Sequence, residues 1–190
     1  ELGLNLGAVD YITKPFSPPI VKIRVRNHLQ LAHQYKLLDQ LAYLDGLTEI
    51  SNRRRFEEMF QKEWSRSTRN STPLSLAMVD VDFFKQYNDN YGHAMGDFAL
   101  QKIAKSLENV LRRPGDLIAR YGGEEFVMLL PETDEEPAMI VAERALQKVV
   151  ELAIPHHYSS IAQHLSISIG VVTTRRDDSI TPQTIMQTAD

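Results

Sequence analysis

The sequence R-Y-G-G-E-E-F at residues 120–126 constrains the fold more than any other stretch of the chain. Apolar runs of strand length lie on both sides of its centre, at residues 117–121 and 126–130. A glycine pair between two such runs predicts a tight β-hairpin, because a two-residue turn needs positive φ angles that glycine adopts without strain. The hairpin would place Glu124 and Glu125 at the start of its second strand. A turn needs no acids, so these two residues indicate a site as well as a fold.

Two further segments have the pattern of strands, and amphipathic helices separate them from the hairpin. Residues 74–81 are an apolar run of strand length, and residues 165–174 alternate apolar residues with serine and glycine. Counted from residue 47, the predicted order is helix, strand, helix, hairpin, helix, strand and helix. This order predicts an α+β fold with a mostly antiparallel central sheet flanked by helices. The helices are predicted after Asn52, which can cap the first of them, from Gly96-Asp97 to Pro114-Gly115, over residues 138–152, and from Thr181.

The composition is that of a globular chain and excludes several classes of site. Of the 190 residues, 43% are hydrophobic, which is enough for one core and a piece of a second domain. The chain has no cysteine, so disulfides, thiol catalysis and thiolate zinc sites are excluded, and we expect a reducing, cytoplasmic compartment. A net charge of -4 gives no sign of a nucleic-acid partner, and no apolar run is long enough to span a membrane. The chain begins at Glu1 in the middle of a pattern and is interpreted as a fragment.

A long helix is predicted before the sheet. Residues 20–44 contain neither proline nor glycine, and the Pro18-Pro19 pair permits a helix start. Within this helix, apolar residues recur at alternating intervals of four and three, which is the spacing of a coiled-coil seam. Two interpretations stay open: a helix buried against its own domain, and a signalling linker that pairs with a copy of itself. The residues of the seam are Leu31, Tyr35, Leu38 and Ala42.

Acidic residues occur where predicted strands end. Asp80 lies at the carboxyl end of the strand 74–81, and Asp82 follows two positions later. If that strand neighbours the hairpin, Asp80 and Glu124 converge at one end of the sheet. Converging carboxylates repel each other and are costly to desolvate unless a cation neutralises them, and a small set of oxygen ligands suits Mg²⁺ or Mn²⁺. The alternative is a solvated strand end with acids that touch nothing.

The segment after Asp80 carries side chains that suit a nucleotide. Lys85 can meet a phosphate as a point charge. Asn88 and Asp97 together offer donors and acceptors, and a carboxylate can accept two N–H bonds from the edge of guanine, which adenine cannot supply. His93 lies in the same segment. The alternative is that Asn88 is a turn amide and that Asp97 caps a helix.

Taken together, these motifs resemble the GGDEF family of diguanylate cyclases. The hairpin G-G-E-E-F at 122–126 resembles the family signature in a GGEEF variant, and the string D-V-D-F-F-K-x-x-N-D-x-x-G-H-x-x-G-D at 80–97 matches with one extra aromatic residue. The opening D-G-L-T-E-I-S-N-R-R at 45–54 and the strand S-I-S-I-G-V at 166–171 are similar to two further family motifs. The resemblance covers residues 45–190. It implies a nucleotidyl-cyclase or polymerase-palm-like fold, and the condensation of two GTP into cyclic di-GMP with release of pyrophosphate.

The resemblance also implies roles for the acids and the lysine. Asp80, the Val81 carbonyl and Glu124 would hold the metal, as Mg²⁺ or Mn²⁺. Glu124 or Glu125 would assist deprotonation of the attacking 3′-hydroxyl. Lys85 would stabilise the charge on the phosphates, so that the chemistry is phosphoryl transfer by positioning and charge neutralisation.

The same resemblance assigns the groups that would bind GTP. Asn88 and Asp97 would read guanine, and His93 would lie close to the nucleotide. Gly122 and Gly123 would let the backbone approach the triphosphate where a Cβ would clash.

A possible regulatory motif lies upstream of the hairpin. Arg113 and Asp116 resemble the R-x-x-D product-inhibition site of the family, at the expected offset before the hairpin. An arginine can fork onto a phosphate or a guanine edge, and an aspartate can accept from guanine. Arg144 lies where the family often supplies a second arginine. The alternative is a solvated helix end.

The first residues resemble the end of a response-regulator receiver domain. The run G-A-V-D-Y-I-T-K-P-F at 7–16 is similar to its last strand, with Lys14-Pro15 as the pair that senses the phosphoryl group. We therefore predict a receiver remnant at residues 1–30, a helical linker at 31–46 and a cyclase domain at 47–190. The resemblance implies an upstream histidine kinase as a partner. It also implies a homodimer, because each active site would hold one of the two GTP molecules.

The chain departs from the family pattern at two places. Glu49 and Ile50 replace Gly-Leu, which predicts an altered turn. The chain stops at Asp190, whereas the family continues with a lysine, an arginine and a final strand, so we expect this fragment to bind substrate less well than the whole protein.

Two competing functions follow from the same residues. A catalytically silent member of the family would act as a cyclic di-GMP receptor, but it would lack an acid of the hairpin, and Glu124 and Glu125 are both present. A different metal-dependent nucleotidyl cyclase of similar fold is the third hypothesis. Asn88 and Asp97, whose groups match guanine, favour the GTP enzyme over it.

Overall fold

The computed structural model of the chain describes residue 10, residue 12 and residues 14–174, apart from the side chains of residues 35–41. The described residues belong to two units. One unit ends at Ala42 and the other begins at Tyr43.

Several predictions fall outside the described residues or stay untested. Residues 11 and 13 of the predicted first strand lie outside the described set, and so does the whole helix predicted from Thr181. The side chains of Tyr35 and Leu38 in the predicted seam also lie outside it. The domain boundaries at residues 30 and 46 stay predictions.

The first unit contains one helix, α1, over Pro18–Leu41. It begins at the proline pair, where the missing N–H groups of proline cost nothing, and the Ser17 carbonyl accepts from the amides of Ile20 and Val21 at 3.1 Å each. The helix ends earlier than the predicted residue 44. Its role as a linker stays a prediction.

The second unit is built on one five-stranded sheet. The strands lie in the order β1-β3-β4-β2-β5. Only the pair β1–β3 is parallel, and the pairs β3–β4, β4–β2 and β2–β5 are antiparallel. The predicted α+β fold with a mostly antiparallel sheet is therefore confirmed. The strands are β1 (Ser51–Asn52), β2 (Leu74–Val81), β3 (Leu117–Gly122), β4 (Glu125–Pro131) and β5 (Ile167–Thr174).

Helices cover both faces of this sheet, and the alternation of side chains along β2 shows how. Leu74, Leu76 and Met78 pack into one apolar cluster, with two phenylalanines of the helix that follows β1. Ala77, Val79 and Val81 point the other way, into a second and larger cluster. A central strand that is buried on both faces reads as a continuous apolar run, which is why the pattern at 74–81 is unbroken. The helices are α2 (Arg53–Asn70), α3 (Phe84–Tyr91), α4 (His93–Glu108) and α5 (Glu135–Val150).

The start of α2 is fixed as the sequence predicts. The Asn52 side chain accepts from the Arg55 amide at 3.0 Å, so it is the N-cap. Phe56 and Phe60 are buried and stacked, with ring centroids 5.6 Å apart, and Trp64 packs beside them half-buried. The i, i+4, i+8 stripe is therefore the core face of this helix.

The predicted bounds of the helix at Gly96-Asp97 are wrong at both ends. Helix α4 begins at His93 and ends at Glu108, well before Pro114. A separate short helix, α3, precedes it, so the segment after β2 is a pair of helices and not one turn and one helix. Gly92, with a φ of 83°, makes the corner between the two helices. Such a φ is open to glycine and rare for other residues, which explains the break.

The predicted turn of the hairpin is shifted by one residue. Gly122 is the last residue of β3 and does not have a positive φ, whereas Gly123 has a φ of 52°. The turn is formed by Gly123 and Glu124, and β4 begins at Glu125. The register slips between Arg120 and Gly122, and this irregularity absorbs the extra residue.

Within the described residues, no helix is both long and apolar enough to cross a bilayer.

Candidate active site

Asp80 and the acids of the hairpin come together at one end of the sheet. The last residue pair in the register of β2 and β4 is Asp80 with Glu125. Glu124 lies in the turn, one residue before that pair. Asp80 is exposed while the other residues of β2 are buried, so a rigid apolar strand brings this carboxylate to the surface. The two strands are thus the neighbours that the convergence of Asp80 and Glu124 requires.

Asp82 and the Val81 carbonyl face opposite neighbours of β2. The Asp82 amide donates to the Ser166 carbonyl at 3.0 Å, and the Asp82 carboxylate accepts from Ser166 Oγ at 2.5 Å and from Ser168 Oγ at 2.6 Å. Asp82 is therefore held on the β5 side. Backbone groups of successive strand residues point to opposite neighbours, so the Val81 carbonyl points to the β4 side, beyond the last pair of β2 and β4. Glu124 lies on that side.

The donor set at this end of the sheet fits a divalent cation that arrives with a nucleotide. Among the described residues, no group of three or more acidic, histidine or cysteine side chains could hold a metal ion by itself. Mg²⁺ is commonly held by one or two carboxylates together with substrate phosphates. Asp80, Glu124 and the Val81 carbonyl supply oxygen donors of this kind, and phosphate oxygens would complete the set.

Helix α3 begins next to these acids with an uncapped first turn. Phe83 is its N-cap residue and takes a left-handed φ of 54°, and its side chain makes no capping hydrogen bond to the helix. Lys85 lies in that first turn and is exposed. Free amides and the positive end of the helix dipole favour an anion. The turn thus offers a phosphate both backbone N–H groups and the ammonium of Lys85.

Asn88 lies inside α3, so the prediction of a turn amide is wrong. Its Oδ1 is buried and has no hydrogen-bond partner within the described part of the chain. It packs against Gly96 of α4, where a Cβ would come within 1.9 Å of that oxygen. Gly96 therefore sets the position of the Asn88 amide. The amide of Asn88 can offer a ligand an acceptor through its oxygen and two donors through its nitrogen.

Asp97 and His93 lie in the first two turns of α4. His93 is the first residue of the helix and Asp97 is the fifth, so Asp97 is not the N-cap that the sequence allowed. Both side chains are exposed. Gly96 next to Asp97 is the point where α3 and α4 approach, so Asn88 and Asp97 flank the contact between the two helices. The sequence analysis assigned these residues to one segment, and in the structure they lie on two adjoining helices, α3 and α4.

Arg120 fixes the turn of the hairpin, although no motif or periodicity in the sequence marks it as a site residue. Its Nε donates to the Gly123 carbonyl at 2.9 Å, and its Nη1 donates to Asp45 Oδ1 at 3.1 Å. Asp45 also accepts from the amide and the hydroxyl of Thr48, at 2.9 and 2.7 Å. The turn that carries Glu124 is therefore tied to a second turn, 75 residues away in sequence.

The pKa of Asp45 is lowered because its carboxylate accepts several hydrogen bonds. Burial acts to raise the pKa, but the hydrogen bonds from Thr48 and the bond and charge of Arg120 outweigh burial and hold the pKa below its ordinary value. The charged form of Asp45 is therefore the form that the folded state favours.

Arg113 and Asp116 lie at the opposite end of β3 from the hairpin turn. They form a turn of their own, in which the Asp116 amide donates to the Arg113 carbonyl at 3.0 Å and Asp116 Oδ2 accepts from the Arg113 amide at 3.3 Å. Arg113 Nη1 donates to Thr133 Oγ1 at 3.3 Å. Helix α4 has already ended at Glu108, so the alternative of a helix end is wrong.

A pocket of about 250 Å³ contains both residues of the motif. Its other charged lining residues are Glu49 and Glu108, so three carboxylates face one guanidinium. Burial raises the pKa of Asp116 above its ordinary value, although the Arg113 amide and charge act against this. Arg144 lies half-buried in α5 and is not among the residues that line this pocket.

A family comparison and a relative agree with these features. The family model described as "Diguanylate cyclase, GGDEF domain" matches residues 42–190. The protein "Response regulator PleD" of Caulobacter vibrioides is 32% identical to this chain over 195 residues, which cover 99% of this chain and 42% of PleD. The chain thus spans less than half the length of that relative.

Solved structures show the same fold. The diguanylate cyclase SiaD from Pseudomonas aeruginosa, solved in complex with its activator SiaC, is 36% identical, with a TM-score of 0.73 over 90% of this chain and 64% of SiaD. The coiled coil and GGDEF domain of DgcB from Caulobacter crescentus, solved with c-di-GMP, aligns with a TM-score of 0.76 over 90% of this chain and 88% of that one. Its identity is 23%, so this second likeness shows the fold alone.

Proposed function

Because the chain belongs to the GGDEF family of diguanylate cyclases, we propose that the intact protein condenses two GTP into cyclic di-GMP and releases pyrophosphate. The observation that carries the proposal is the pairing of Asp80 with Glu125, next to the uncapped start of α3. Carboxylates and anion-binding amides are brought side by side, as a metal–triphosphate substrate requires.

The catalytic roles are those that the family resemblance implies, and this geometry supports them. Asp80, the Val81 carbonyl and Glu124 would hold Mg²⁺ or Mn²⁺, which would neutralise charge on the phosphates when bound. Lys85 in the first turn of α3 stabilises the charge that develops on the transferred phosphoryl group. Glu125, or Glu124, accepts the proton of the attacking 3′-hydroxyl.

The base would be read at the contact between α3 and α4. The Asn88 amide nitrogen can donate to guanine, and the Asp97 carboxylate can accept the two N–H bonds of its edge. His93 at the start of α4 lies in the same region of the chain. Gly122 and Gly123 carry no Cβ, so the triphosphate can approach the backbone of the hairpin. A site built this way discriminates against adenine, which would leave the carboxylate unpaired.

Activity would require two copies of the domain, because each site holds one GTP and the reaction joins two. Helix α1 is the element that can pair two chains, and Leu31 of the predicted seam is half-exposed on it. The relative PleD is named a response regulator, and this supports the reading of residues 1–30 as the end of a receiver domain under an upstream histidine kinase.

Product would inhibit the enzyme at the Arg113–Asp116 turn. This turn lies at the far end of β3 from Glu124, so cyclic di-GMP bound there would not compete at the metal. A planar guanidinium can clasp a phosphate and a base edge together. Arg144 is the candidate second arginine, contributed from another face or another copy.

The test is to incubate the full-length protein with GTP and Mg²⁺ and to identify the product by mass spectrometry. The matched variants are Glu124→Gln, which removes a ligand charge, and Glu143→Gln, which makes the same change at an exposed position of α5. We expect cyclic di-GMP from the wild type and from Glu143→Gln, and a loss of about a hundredfold or more in folded Glu124→Gln.

Other outcomes point to the competing functions. A wild type that binds cyclic di-GMP but forms none is a receptor, and the proposed activity is then wrong. Equal turnover of ATP and GTP would indicate a nucleotidyl cyclase whose Asn88 and Asp97 do not select guanine.

A further inference from the structure

The loop between α5 and β5 folds back on itself and buries one histidine. Its two arms are joined by bonds from the Leu165 amide to the Ile154 carbonyl and from the His156 amide to the Gln163 carbonyl, both at 2.8 Å. The side chain of His156 is directed inward from this closed base and only 1% of the residue is exposed. His164, on the opposite arm, is exposed.

The ring of His156 holds the residue before α3. Its Nε2 lies 3.2 Å from the carbonyl oxygen of Phe83. A carbonyl can only accept, so Nε2 carries the proton and donates to it. The same carbonyl accepts the first bond of the helix, from the Tyr87 amide at 3.0 Å. His156 therefore anchors the left-handed N-cap residue of the helix that carries Lys85.

The next residue of the loop holds the other end of the same helix. The His157 amide donates to the Tyr91 hydroxyl at 3.0 Å. The His156 ring packs edge-on against Tyr87, at 5.2 Å between centroids, and against Tyr91 at 6.2 Å. Two adjacent residues of one loop thus brace α3 at its first and last turns.

The second nitrogen of His156 shows why the first one matters. Nδ1 is buried and has no hydrogen-bond partner within the described ranges. A buried polar atom without a partner is costly, so an aromatic ring of carbon alone would fill this space more favourably. What histidine adds over phenylalanine here is the bond from Nε2 to Phe83.

We propose that His156 is a positioning residue for the reaction: by holding Phe83 it sets where Lys85 and Asn88 of α3 meet the substrate. The effect on catalysis rests on the proposed function, whereas the contacts between His156 and α3 do not depend on it. Helix α3 has only eight residues, and its carboxyl end turns directly into α4 through Gly92. A helix this short has little stability of its own, so its position depends on such external bonds.

Three variants of the intact protein test the proposal. His156→Phe keeps a ring and removes the donor, whereas His156→Gln keeps a donor near the place of Nε2. His164→Phe makes the same change at an exposed histidine of the same loop. In His156→Phe we expect KM for GTP to rise about fivefold or more and kcat/KM to fall at least about tenfold, with His156→Gln and His164→Phe within about threefold of wild type.

The rise in KM is the decisive readout, since a variant that only unfolds in part loses kcat and keeps its KM. An unchanged KM in His156→Phe, or a His156→Gln variant as impaired as His156→Phe, would overturn the proposal. Tyr91→Phe deletes only the hydroxyl at the other anchor and serves if His156→Phe does not fold. Its loss should let the amides of Tyr87 to Tyr91 exchange faster than in wild type, and unaltered exchange there would count against the brace.

Amide hydrogen exchange separates this inference from the proposed function. We expect the amides of Tyr87 to Tyr91 to exchange faster in His156→Phe than in wild type or in His164→Phe, with β2 unaffected. If the wild type forms no cyclic di-GMP, the proposed function fails and this experiment still decides the brace. Unaltered exchange in α3 would show that His156 does not hold the helix.

Discussion

The two ends of β3 hold their charged residues in opposite ways. At the hairpin end, Arg120 makes bonds of 2.9 and 3.1 Å to Gly123 and Asp45, and both side chains of the ion pair are largely buried. At the other end, Arg113 is exposed. Its side chain donates to Thr133 and its amide donates to Asp116, each over a longer distance of 3.3 Å. One end is pre-organised by satisfied charges, whereas at the other end Arg113 makes a single side-chain bond within the described residues.

The pKa values of the two aspartates express the same contrast. The pKa of Asp45 is lowered and that of Asp116 is raised, although both residues are partly buried and both lie near an arginine. Asp45 gains more from its hydrogen bonds than it loses by burial, and Asp116 does not. A carboxylate that the fold does not satisfy is an expected feature of a binding site, where a ligand supplies the missing partner.

The largest effect is expected from removing Arg120 at the hairpin end of β3. Arg120→Ala leaves the Asp45 carboxylate without its cation and frees the Gly123 carbonyl, so the turn that carries Glu124 loses its tether. We expect a loss of about 1–3 kcal/mol in the free energy of unfolding. Cyclic di-GMP synthesis per folded molecule should fall about tenfold to a hundredfold.

Chemical denaturation and initial-rate assays measure these two quantities. Arg120→Lys keeps the charge but cannot reach Asp45 and Gly123 together, so it should recover stability more than activity. An Arg120→Ala enzyme with wild-type turnover would mean that the hairpin holds its shape without this ion pair.

A smaller effect, opposite in sign, is expected at the other end. In Asp116→Asn the partly buried charge is removed, and the free energy of unfolding at neutral pH should rise by at most about 0.5 kcal/mol, because solvent screens much of the cost of this charge. Asp45→Asn should lower it. The same Asp116→Asn variant should bind cyclic di-GMP more weakly, because an amide offers guanine one acceptor and not two.

The stabilities contributed by Asp45 and Asp116 should depend on pH with opposite signs. A lowered pKa means that the stability contributed by Asp45 is present above its unfolded pKa, near 3.8, and is lost as the pH falls through the folded value. A raised pKa means that the charge of Asp116 costs stability above the folded value and costs nothing below 3.8. The wild-type and variant curves should therefore separate in opposite directions as the pH rises from 3 to 7. Parallel curves for the two variants would remove the contrast between the two ends.

The sequence predicted the parts of this site that depend on neighbours in the chain. The apolar run at 74–81 and the glycine pair at 122–123 were enough to predict the sheet and the hairpin. They also indicated that Asp80 and Glu124 share one end of the sheet if the two strands are neighbours, and the structure shows that the strands are neighbours. These features follow from side-chain alternation and turn chemistry, which are local.

The features that were missed depend on distant contacts or on a single backbone angle. The bond between Arg120 and Asp45 joins residues 75 positions apart, and the bond from His156 to Phe83 joins residues 73 apart. No periodicity in the sequence marks such pairs. The observed turn lies one residue later than the predicted one because a shift in the register of β3 and β4 places Gly122 in the strand. Composition does not reveal such a shift.

The smallest effect is expected at Glu49, which belongs to the turn around Asp45 and also lines the pocket of Asp116. It has a left-handed φ of 62°, where the family pattern has glycine. Glu49→Gly relieves the steric cost of this angle, which raises the free energy of unfolding. It also raises the chain entropy of the unfolded state, which offsets part of that gain. The net gain in the free energy of unfolding should be about 0.5 kcal/mol.

Both Glu49→Gly and Glu49→Ala remove a carboxylate from a pocket that already holds two others. Either change should therefore tighten cyclic di-GMP binding about twofold to threefold in calorimetry. Glu49→Ala keeps a Cβ at the strained angle, so it should show the gain in affinity without the gain in stability. If both variants gain stability equally, the strain at Glu49 is not what distinguishes this turn, and if neither binds product more tightly, the charge of Glu49 does not reach the Arg113–Asp116 site.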